Sequence, residues 1–571
     1  MVTNTADDGT GSLRQAIQDS NSSFGEVDTI EFNISGDGPH SIQPMSALPT
    51  LTDPVVIDGF TQGAATPQTS DDAVPNSNPP DKPINTVLKI EIDGSLAGAG
   101  ATCFYVTGGG TVIRGLAINR FQGVGVYIQF GGGNRIEGNF IGTDVAGAIA
   151  VGNGADGVAI VSSPDNLIGG PDPEDRNLIS ANFRGMGIFE STSIGNTVQG
   201  NFIGTDATGS SDLGNEIFGI HILGAANVLI GGLEIGMGNL VSGNDRHGIN
   251  LSRDSSNIRI QGNFVGTDLV GTTAIGNSLS GVRLLESSSN LIGGATPGAS
   301  NLISGNEENG VFIEGPTSTQ NRFENNRIGS NLSGLAGLGN GHNGISSASD
   351  VGPAQSFLGN TFLGNDLLAI DVNDDGVSAN DSDDAQPGNP QNFPELTSVT
   401  PNGDTTRIQG AFSSLPDTSF HLEFFANTAC DPSGNGEGER FLGSDTVDTD
   451  GSGNAMIDSL VSSSVQAGEF ITSTATRLDG EGSPMDTSEF SACLEVTEGM
   501  GPTPTPTPEP GIECDNLDFD GNQIVDSRDL LQLLMAVDTQ DLDFDLTGDD
   551  VVNDDDVFRF SQCWYMMTGM P

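Results

Sequence analysis

The sequence predicts a mainly-β chain: a right-handed parallel β-helix, then a β-sandwich, then a small α-helical module. Three observations predict it. A heptapeptide returns at a fixed interval, asparagine and isoleucine recur at set places between its copies, and the C-terminal segment carries two matching acidic loops.

GNFIGTD occurs at 138–144 and again at 200–206, and GNFVGTD at 262–268, each step being 62 residues. A degraded copy, NNRIGSN, occupies 325–331. A fixed period of this kind means a stacked array. Each unit divides into two coils of about 24–38 residues with one grammar. A Gly-Val/Ile-x-Ile/Leu strand opens at Gly125, Gly157, Gly219, Gly248, Gly281 and Gly310, and at Gly187 with Glu190 in place of the second apolar residue. A second strand follows Asn134, Asn166, Asn196, Asn290 and Asn321, and a third follows Asn139, Asn177, Asn201, Asn239, Asn263, Asn301, Asn326 and Asn360. Alternation turns Ile and Val inward. Asparagine at a fixed corner bonds the turn backbone and stacks on the asparagine of the next coil. A propeller needs antiparallel blades, and a leucine-rich repeat needs a Leu-x-x-Leu-x-Leu pattern that is absent.

Composition narrows the function classes. The formal charge is −57, from 76 acidic and 19 basic residues, with lysine only at Lys82 and Lys89. Such a chain repels nucleic acid and anionic membranes and suits calcium or saline surroundings. No run of 18 apolar residues exists, so no membrane insertion is expected. No signal peptide precedes the fold, so a chain trimmed at its start is expected. Cys430 and Cys493 flank one predicted domain and Cys514 and Cys563 another, which points to two disulfides and a secreted or cell-surface protein, with Cys103 left over and buried.

SLRQAIQDS at 12–20 reads as a short amphipathic helix capped by Ser12. Together with the flanking VTNTADDGTG and DTIEFNI it resembles the N-terminal cap of bacterial surface β-helix proteins with a SLREAI-like signature, and residues 365–396 resemble their C-terminal end. The resemblance covers residues 2–396 and implies architecture, not chemistry. The domains expected are the β-helix at 1–394, an Ig-like β-sandwich at 395–497, a Pro/Thr linker at 498–511 and a two-loop module at 512–571. RIQGAF, SFHLEFFANTAC and FITSTATRL supply the sandwich strands, stapled by Cys430 and Cys493, and PTPTPTPEP is a semi-rigid spacer.

The two loops lie 27 residues apart. DFDGNQIVDSRD places Asp518, Asp520, Asn522, Asp526 and Asp529 at positions 1, 3, 5, 9 and 12, with the Ile524 carbonyl at position 7. DLTGDDVVNDDD repeats this with Asp545, Thr547, Asp549, Asn553 and Asp556, and the Val551 carbonyl. Calcium takes six to eight oxygens, and this spacing wraps a loop around one ion. Each loop precedes an apolar stretch, LLQLLMAV or VFRFSQCW, able to form a packed helix. The duplicated layout resembles a type I dockerin, which implies a cohesin-like partner. Gln523 and Asp550 stand where glycine is usual, and Ser527–Arg528 differs from Asp554–Asp555 at the positions of the partner-reading pair, so the halves are not equivalent. A third acidic run starts with the same spacing at Asp371, Asn373 and Asp375, but Ala379 and Ser382 fall where ligands belong, with Asp381, Asp383 and Asp384 as substitutes. Asp144, Asp206 and Asp268 are expected to close turns.

The outward residue of the Gly-Val/Ile-x-Ile strand predicts a file of Tyr127, Ala159, Phe189, His221, Asn250, Arg283 and Phe312, a candidate glycan-binding face. The plain alternative is a mixed surface strand. His221 and Arg283 fall two coils apart, Asp245–Arg246–His247 forms a charged corner, and GNGHNG around His342 faintly resembles the histidine motif of polygalacturonase-like helices without its basic companion. No catalytic constellation emerges. The expected function is an extracellular calcium-binding scaffold or adhesin that binds polysaccharide or a cell surface. The alternative is a calcium-assisted polysaccharide lyase or glycoside hydrolase.

Overall fold

The computed structural model describes the chain except for residues 24, 64–71, 336, 382–389, 498–516, 520–524, 526, 538–541, 547–550, 554–555, 558–559 and 561–571. It divides into two compact units, Met1–Glu498 and Gly499–Pro571.

Isoleucine and valine at alternate positions make each short strand apolar on one side, and stacking is the way to bury that side. Three parallel sheets of 11, 11 and 10 strands result. The first runs from Asp28–Glu31 to Ser356–Leu358, the second from His40–Ile42 to Thr361–Phe362 and the third from Phe104–Val106 to Ile370–Asn373. The chain is a parallel β-helix over this region. Inward files are nearly invariant in chemistry: Ile113, Ile136, Ile168, Val198, Ile230, Ile260 and Ile292 stack in register in the first sheet. All are fully buried. Each such side chain stabilises the fold by about 1.5–3 kcal/mol.

The 62-residue unit is two coils, because Phe140 pairs Leu178 and Leu178 pairs Phe202. Corners are held by asparagine ladders. Asn177 Nδ2 donates to Asn201 Oδ1 at 2.8 Å, Asn201 to Asn239 at 3.0 Å, and Asn239 to Asn263 at 2.9 Å. Asn134, Asn166 and Asn196 form a second ladder at 2.7 and 2.8 Å. A third, unforeseen ladder runs through Asn153, Asn182, Asn215, Asn244, Asn277, Asn306, Asn340 and Asn365. Its signal was in the sequence, but the variable loops before it hide the spacing. Asp144, Asp206 and Asp268 do close turns, their Oδ1 atoms accepting from the N–H groups of Ile149, Ser211 and Thr273.

At the N-terminal end, helix Leu13–Ser20 is capped by Ser12, whose Oγ accepts from Gln15 N–H at 3.1 Å. Leu13 and Ile17 enter the coil core. The other end is covered by the sandwich, which belongs to the same compact unit. Its side chains accept the free N–H groups of the last coil: Glu423 takes Gly359 N–H, Asp486 takes Ala354, Thr487 takes Phe357, and Glu489 takes Val372 and Ser378. The coil core turns aromatic here, and Phe425 and Phe490 of the sandwich join Phe362 within it. An open strand edge invites association, and this lid closes it.

The sandwich has a three-stranded sheet (Glu395–Asn402, Thr405–Ser413, Asn454–Val461) and a sheet built on Arg440–Asp448, Ser419–Asn427, Phe470–Leu478 and Pro484–Thr487. Cys430 and Cys493 form a disulfide, and Cys103 is a buried free thiol. Cys514 and Cys563 lie outside the described residues, as does the linker. No described helix is long and apolar enough to cross a membrane.

In the C-terminal unit, helix Ser527–Ala536 starts within the last three positions of the first loop and takes in Asp529. Leu517, Leu533, Ala536, Val552 and Phe560 form a small core drawn from both halves. Phe519 packs on Phe544 at 4.8 Å and on Phe560 at 6.0 Å.

Candidate functional site

The outward file of the third sheet is Tyr105, Tyr127, Ala159, Gly187, His221, Asn250, Arg283, Phe312, Ser346 and Asp371. Phe189 is not in it, which corrects the expected register. The strand here is Arg184–Phe189, so Met186 and Ile188 are the inward pair and Gly187 holds the file position. The Gly-Ile at 187–188 imitates the start of the repeat two residues late. A slip of two keeps the face, so Phe189 still points outward, and Glu190 becomes a turn residue at φ +76°. The Phe189 ring leans over Gly187 into the space a Cβ there would take.

This slip assembles a cluster. The Arg184 guanidinium lies over Phe183 at 5.5 Å and over Phe189 at 5.2 Å. Its Nε donates to Asp156 Oδ1 at 2.6 Å, and Nη1 lies 3.4 Å from His221 Nδ1. His221 Nε2 is 2.9 Å from Ser252 Oγ. Phe189 and Phe218 meet the His221 ring edge-on at 5.7 and 5.0 Å, and Phe218 stacks on His247 at 6.0 Å. Phe183, Arg184 and Phe218 lie outside the Gly-Val/Ile-x-Ile strand pattern, which is why the repeat did not reveal them. Further along, Arg283 donates to Glu314 at 2.5 Å and to Asn250 Oδ1 at 3.1 Å. Tyr127, Phe189, Arg283 and Phe312 are half-buried, whereas His221 and Asn250 are only 8% and 1% exposed.

The face carries arginines on an acidic chain, and Arg184 and Arg283 are ion-paired there with Asp156 and Glu314. Burial, with Arg184, Arg283 and Arg253 behind it, pulls His221 down to about 4, and burial with Arg283 pulls His247 down to about 3. Burial pushes the Asp156 carboxyl up, and Arg184 opposes it. Both histidines are therefore neutral at ordinary pH. Since their folded values lie below 6.5, the unfolded chain binds more protons between the two values. The stability these two neutral histidines contribute is complete above that range, and that of His221 is lost as pH falls from about 6.5 towards 4. His221→Gln should remove up to about 3 kcal/mol of that acid-side loss. Chemical denaturation of the two proteins at pH 7 and pH 4.5 checks it, and an unchanged pH difference in the variant would refute it.

The other candidates are placed as follows. His342 is exposed at a corner, its N–H donating to Glu308 O. Asp245 and Arg246 are exposed, and His247 alone joins the cluster. In the third acidic run, Asp371 Oδ1 accepts from Asp375 and Gly376 N–H at 3.1 and 3.3 Å, and Asn373 has φ +79°. Asp381 is described, while Ser382, Asp383 and Asp384 are outside the described residues. In the C-terminal loops, Asp520, Asn522, Ile524, Asp526, Thr547 and Asp549 are outside them too. The described part is symmetric: Asp529 Oδ1 accepts Phe519 N–H and Asp556 Oδ1 accepts Leu546 N–H, both at 2.7 Å. Each bond joins position 12 of a loop to position 2. Both carboxylates are fully buried.

No family model matches the chain, and no curated protein matches it. Among solved structures it is similar to the periplasmic alginate epimerase AlgG, with 15% identity over 61% of this chain and 69% of that one and a TM-score of 0.33. It is also similar to tailspike protein 2 from Escherichia coli O157:H7 bacteriophage CAB120, with 11% identity, 86% and 68% coverage and a TM-score of 0.31. A third is tailspike protein gp49 from Acinetobacter baumannii bacteriophage Fri1, a capsular polysaccharide depolymerase, with 10% identity, 86% and 85% coverage and a TM-score of 0.23. These likenesses are weak. The parallel β-helix stands on the chain's own three sheets.

Proposed function

We propose that this chain is an extracellular glycan-binding β-helix, tethered through a calcium-loaded dockerin-like module to a cohesin-like partner. The observation that carries the reading is the third-sheet face, where Arg184 is clamped between Phe183 and Phe189 beside His221, with Tyr127, Arg283 and Phe312 along the same side. Coils repeat at about 4.8 Å, similar to a sugar unit, and aromatic faces stack on sugars. The Arg184 and Arg283 guanidinium groups, each paired with a carboxylate, present N–H donors suited to sugar hydroxyls. Binding is favoured over turnover because the desolvated carboxyl of this cluster, Asp156, is already held by Arg184.

For the tether, Asp529 and Asp556 fit a cation. They are acid groups kept fully inside the unit at the same place in two loops. Asp518, Asp520, Asn522, Asp526, Asp529 and the Ile524 carbonyl would hold one ion, and Asp545, Thr547, Asp549, Asn553, Asp556 and the Val551 carbonyl the other. Asp371, Asn373 and Asp375 are a further calcium candidate. The disulfide Cys430–Cys493 supports an oxidising compartment.

A panel of neutral and acidic polysaccharides, scored for binding and for release of cleaved or unsaturated product, tests the reading. Binding of a polysaccharide is expected, with Phe312→Ala weakening it roughly threefold to tenfold and leaving the melting temperature nearly unchanged. Equal loss of both would make the aromatic a packing residue. Product release would move the assignment to the lyase or hydrolase alternative.

A further inference from the structure

A second surface, on the outside of the second sheet, carries a site of different character. Its outward file is apolar: Phe140, Leu178, Phe202, Leu240, Phe264 and Leu302 stack in register. The chain itself covers the start of this stripe. Ile84 and Leu88, from a strap before the third sheet begins, pack on Phe140, Leu178 and Phe202, and Ile84 N–H donates to Ala207 O at 2.8 Å. Beyond the strap the stripe lies open as a groove of about 610 Å³, with Pro80 of the strap in its lining. Phe202, Leu240 and Phe264 form its floor, and the half-exposed Leu233, Val270 and Leu332 form its rims. It crosses about four strand spacings, roughly 20 Å.

Arg176 lines this groove and does not belong to the repeat. The residue before the ladder asparagine is Gly138, Gly200, Gly238, Gly262 and Gly359 in other coils, with Ser300 and Asn325 in two more. Arginine is thus not required by the turn. The side chain is 3% exposed, its Nε donates to Gly200 O at 3.1 Å, and its guanidinium lies 5.1 Å from the Phe202 ring centre. Nη1 has no hydrogen-bond partner among the described residues, and Arg176 makes no ion pair there. A buried cation without an anion is costly. Burial pulls its pKa down to about 10. Of the acids on the rim, Asp81 lies 3.4 Å from Lys82 and Glu234 is exposed. Among the described residues this buried arginine is left unpaired beside an apolar groove, on a chain with 76 acidic residues, and that leaves a place for an anion from outside.

We propose that this groove binds an amphipathic anion, an acyl chain ending in a carboxylate, with the head group on Arg176 and the chain along Phe202, Leu240 and Phe264. An extended peptide fits less well. Its amides would need partners along walls that are mostly apolar or glycine, and the side chain of Asn239 already donates to Asn263 and to Val198 O. The site is independent of the glycan face, which lies on the third sheet.

The test is titration of the full chain with oleate, with oleyl alcohol as the neutral match and an apolar peptide with a free C-terminus as the third probe. Saturable binding of about one oleate is expected, at least tenfold tighter than the alcohol. Arg176→Gln should abolish the preference for the acid while leaving alcohol binding unchanged. Leu332→Glu, on the half-exposed rim, should lose both ligands, and it serves as the second variant should Arg176→Gln misfold. No saturable oleate binding, equal affinity for acid and alcohol, undiminished binding by Leu332→Glu, or binding of the peptide alone would each overturn the proposal.

Discussion

Calcium removal is expected to unfold the C-terminal unit and leave the β-helix intact. Four carboxylates of the first loop, Asp518, Asp520, Asp526 and Asp529, fall within twelve residues, and their repulsion opposes closure without a cation. Among the described residues the buried core that resists that repulsion is small: Leu517, Leu533, Ala536, Val552 and Phe560. In a module this small, metal-binding free energy becomes folding free energy. At a free calcium level a thousand times the Kd, the ion stabilises the fold by about 4 kcal/mol. Asp529 and Asp556 add a structural reason. Each is fully buried and holds an N–H at position 2, so opening one loop also frees a buried backbone donor. Amide exchange with and without chelator, with disulfides reduced, checks it. Protection at Leu530 and Leu533 should collapse while Ile203 and Ile230 stay protected. Persistent protection at Leu533 would show that these loops are not folding switches, and Leu534, 49% exposed, is the weaker reporter.

Cutting an asparagine ladder should cost the β-helix far more than its size implies. Asn201 accepts from Asn177 Nδ2 at 2.8 Å, and its own Nδ2 donates to Ile168 O, Gln199 O and Asn239 Oδ1 at 2.9–3.0 Å. It is fully buried. Asn201→Ala leaves a donor on one side and acceptors on the other without partners or water, at about 1–3 kcal/mol for each group stranded. We expect a loss of about 3–5 kcal/mol. Asn201→Asp should be worse, because it turns the donor into an acceptor facing three oxygens and buries a charge. Asn402→Ala, on the exposed hairpin of the sandwich, should change stability by no more than about 0.5 kcal/mol. Denaturant midpoints of the three variants decide it. A shift for Asn201→Ala no larger than that of the hairpin control would show that the ladder is ornament.

The periodic part of this protein was readable in one dimension. Two coils per 62 residues, the three strands of each coil, the cap at Ser12 and the turn role of Asp144 were all legible. The reason is that a stacked coil repeats one local problem, and Ile, Asn and Gly solve it at the same place each time. The duplicated loop spacing was legible for the same reason. What broke the period was not. The strand at Arg184–Phe189 slipped by two residues because Gly187–Ile188 satisfies the local pattern as well as Gly185–Met186 does. Pairing with Ile220 and Ile222 on one side and Val158 and Ile160 on the other decides between them.

Tertiary structure alone placed Phe183, Arg184 and Phe218 around His221, since they reach the site from outside the repeat's strand pattern. It alone set Glu423, Asp486, Thr487 and Glu489 on the last coil, because an exposed strand edge is satisfied by residues more than sixty positions away. That Arg176 makes no ion pair among the described residues was equally invisible in one dimension. A charge in the sequence carries no record of its neighbours, and whether it is paired, solvated or stranded is decided only when the coils stack.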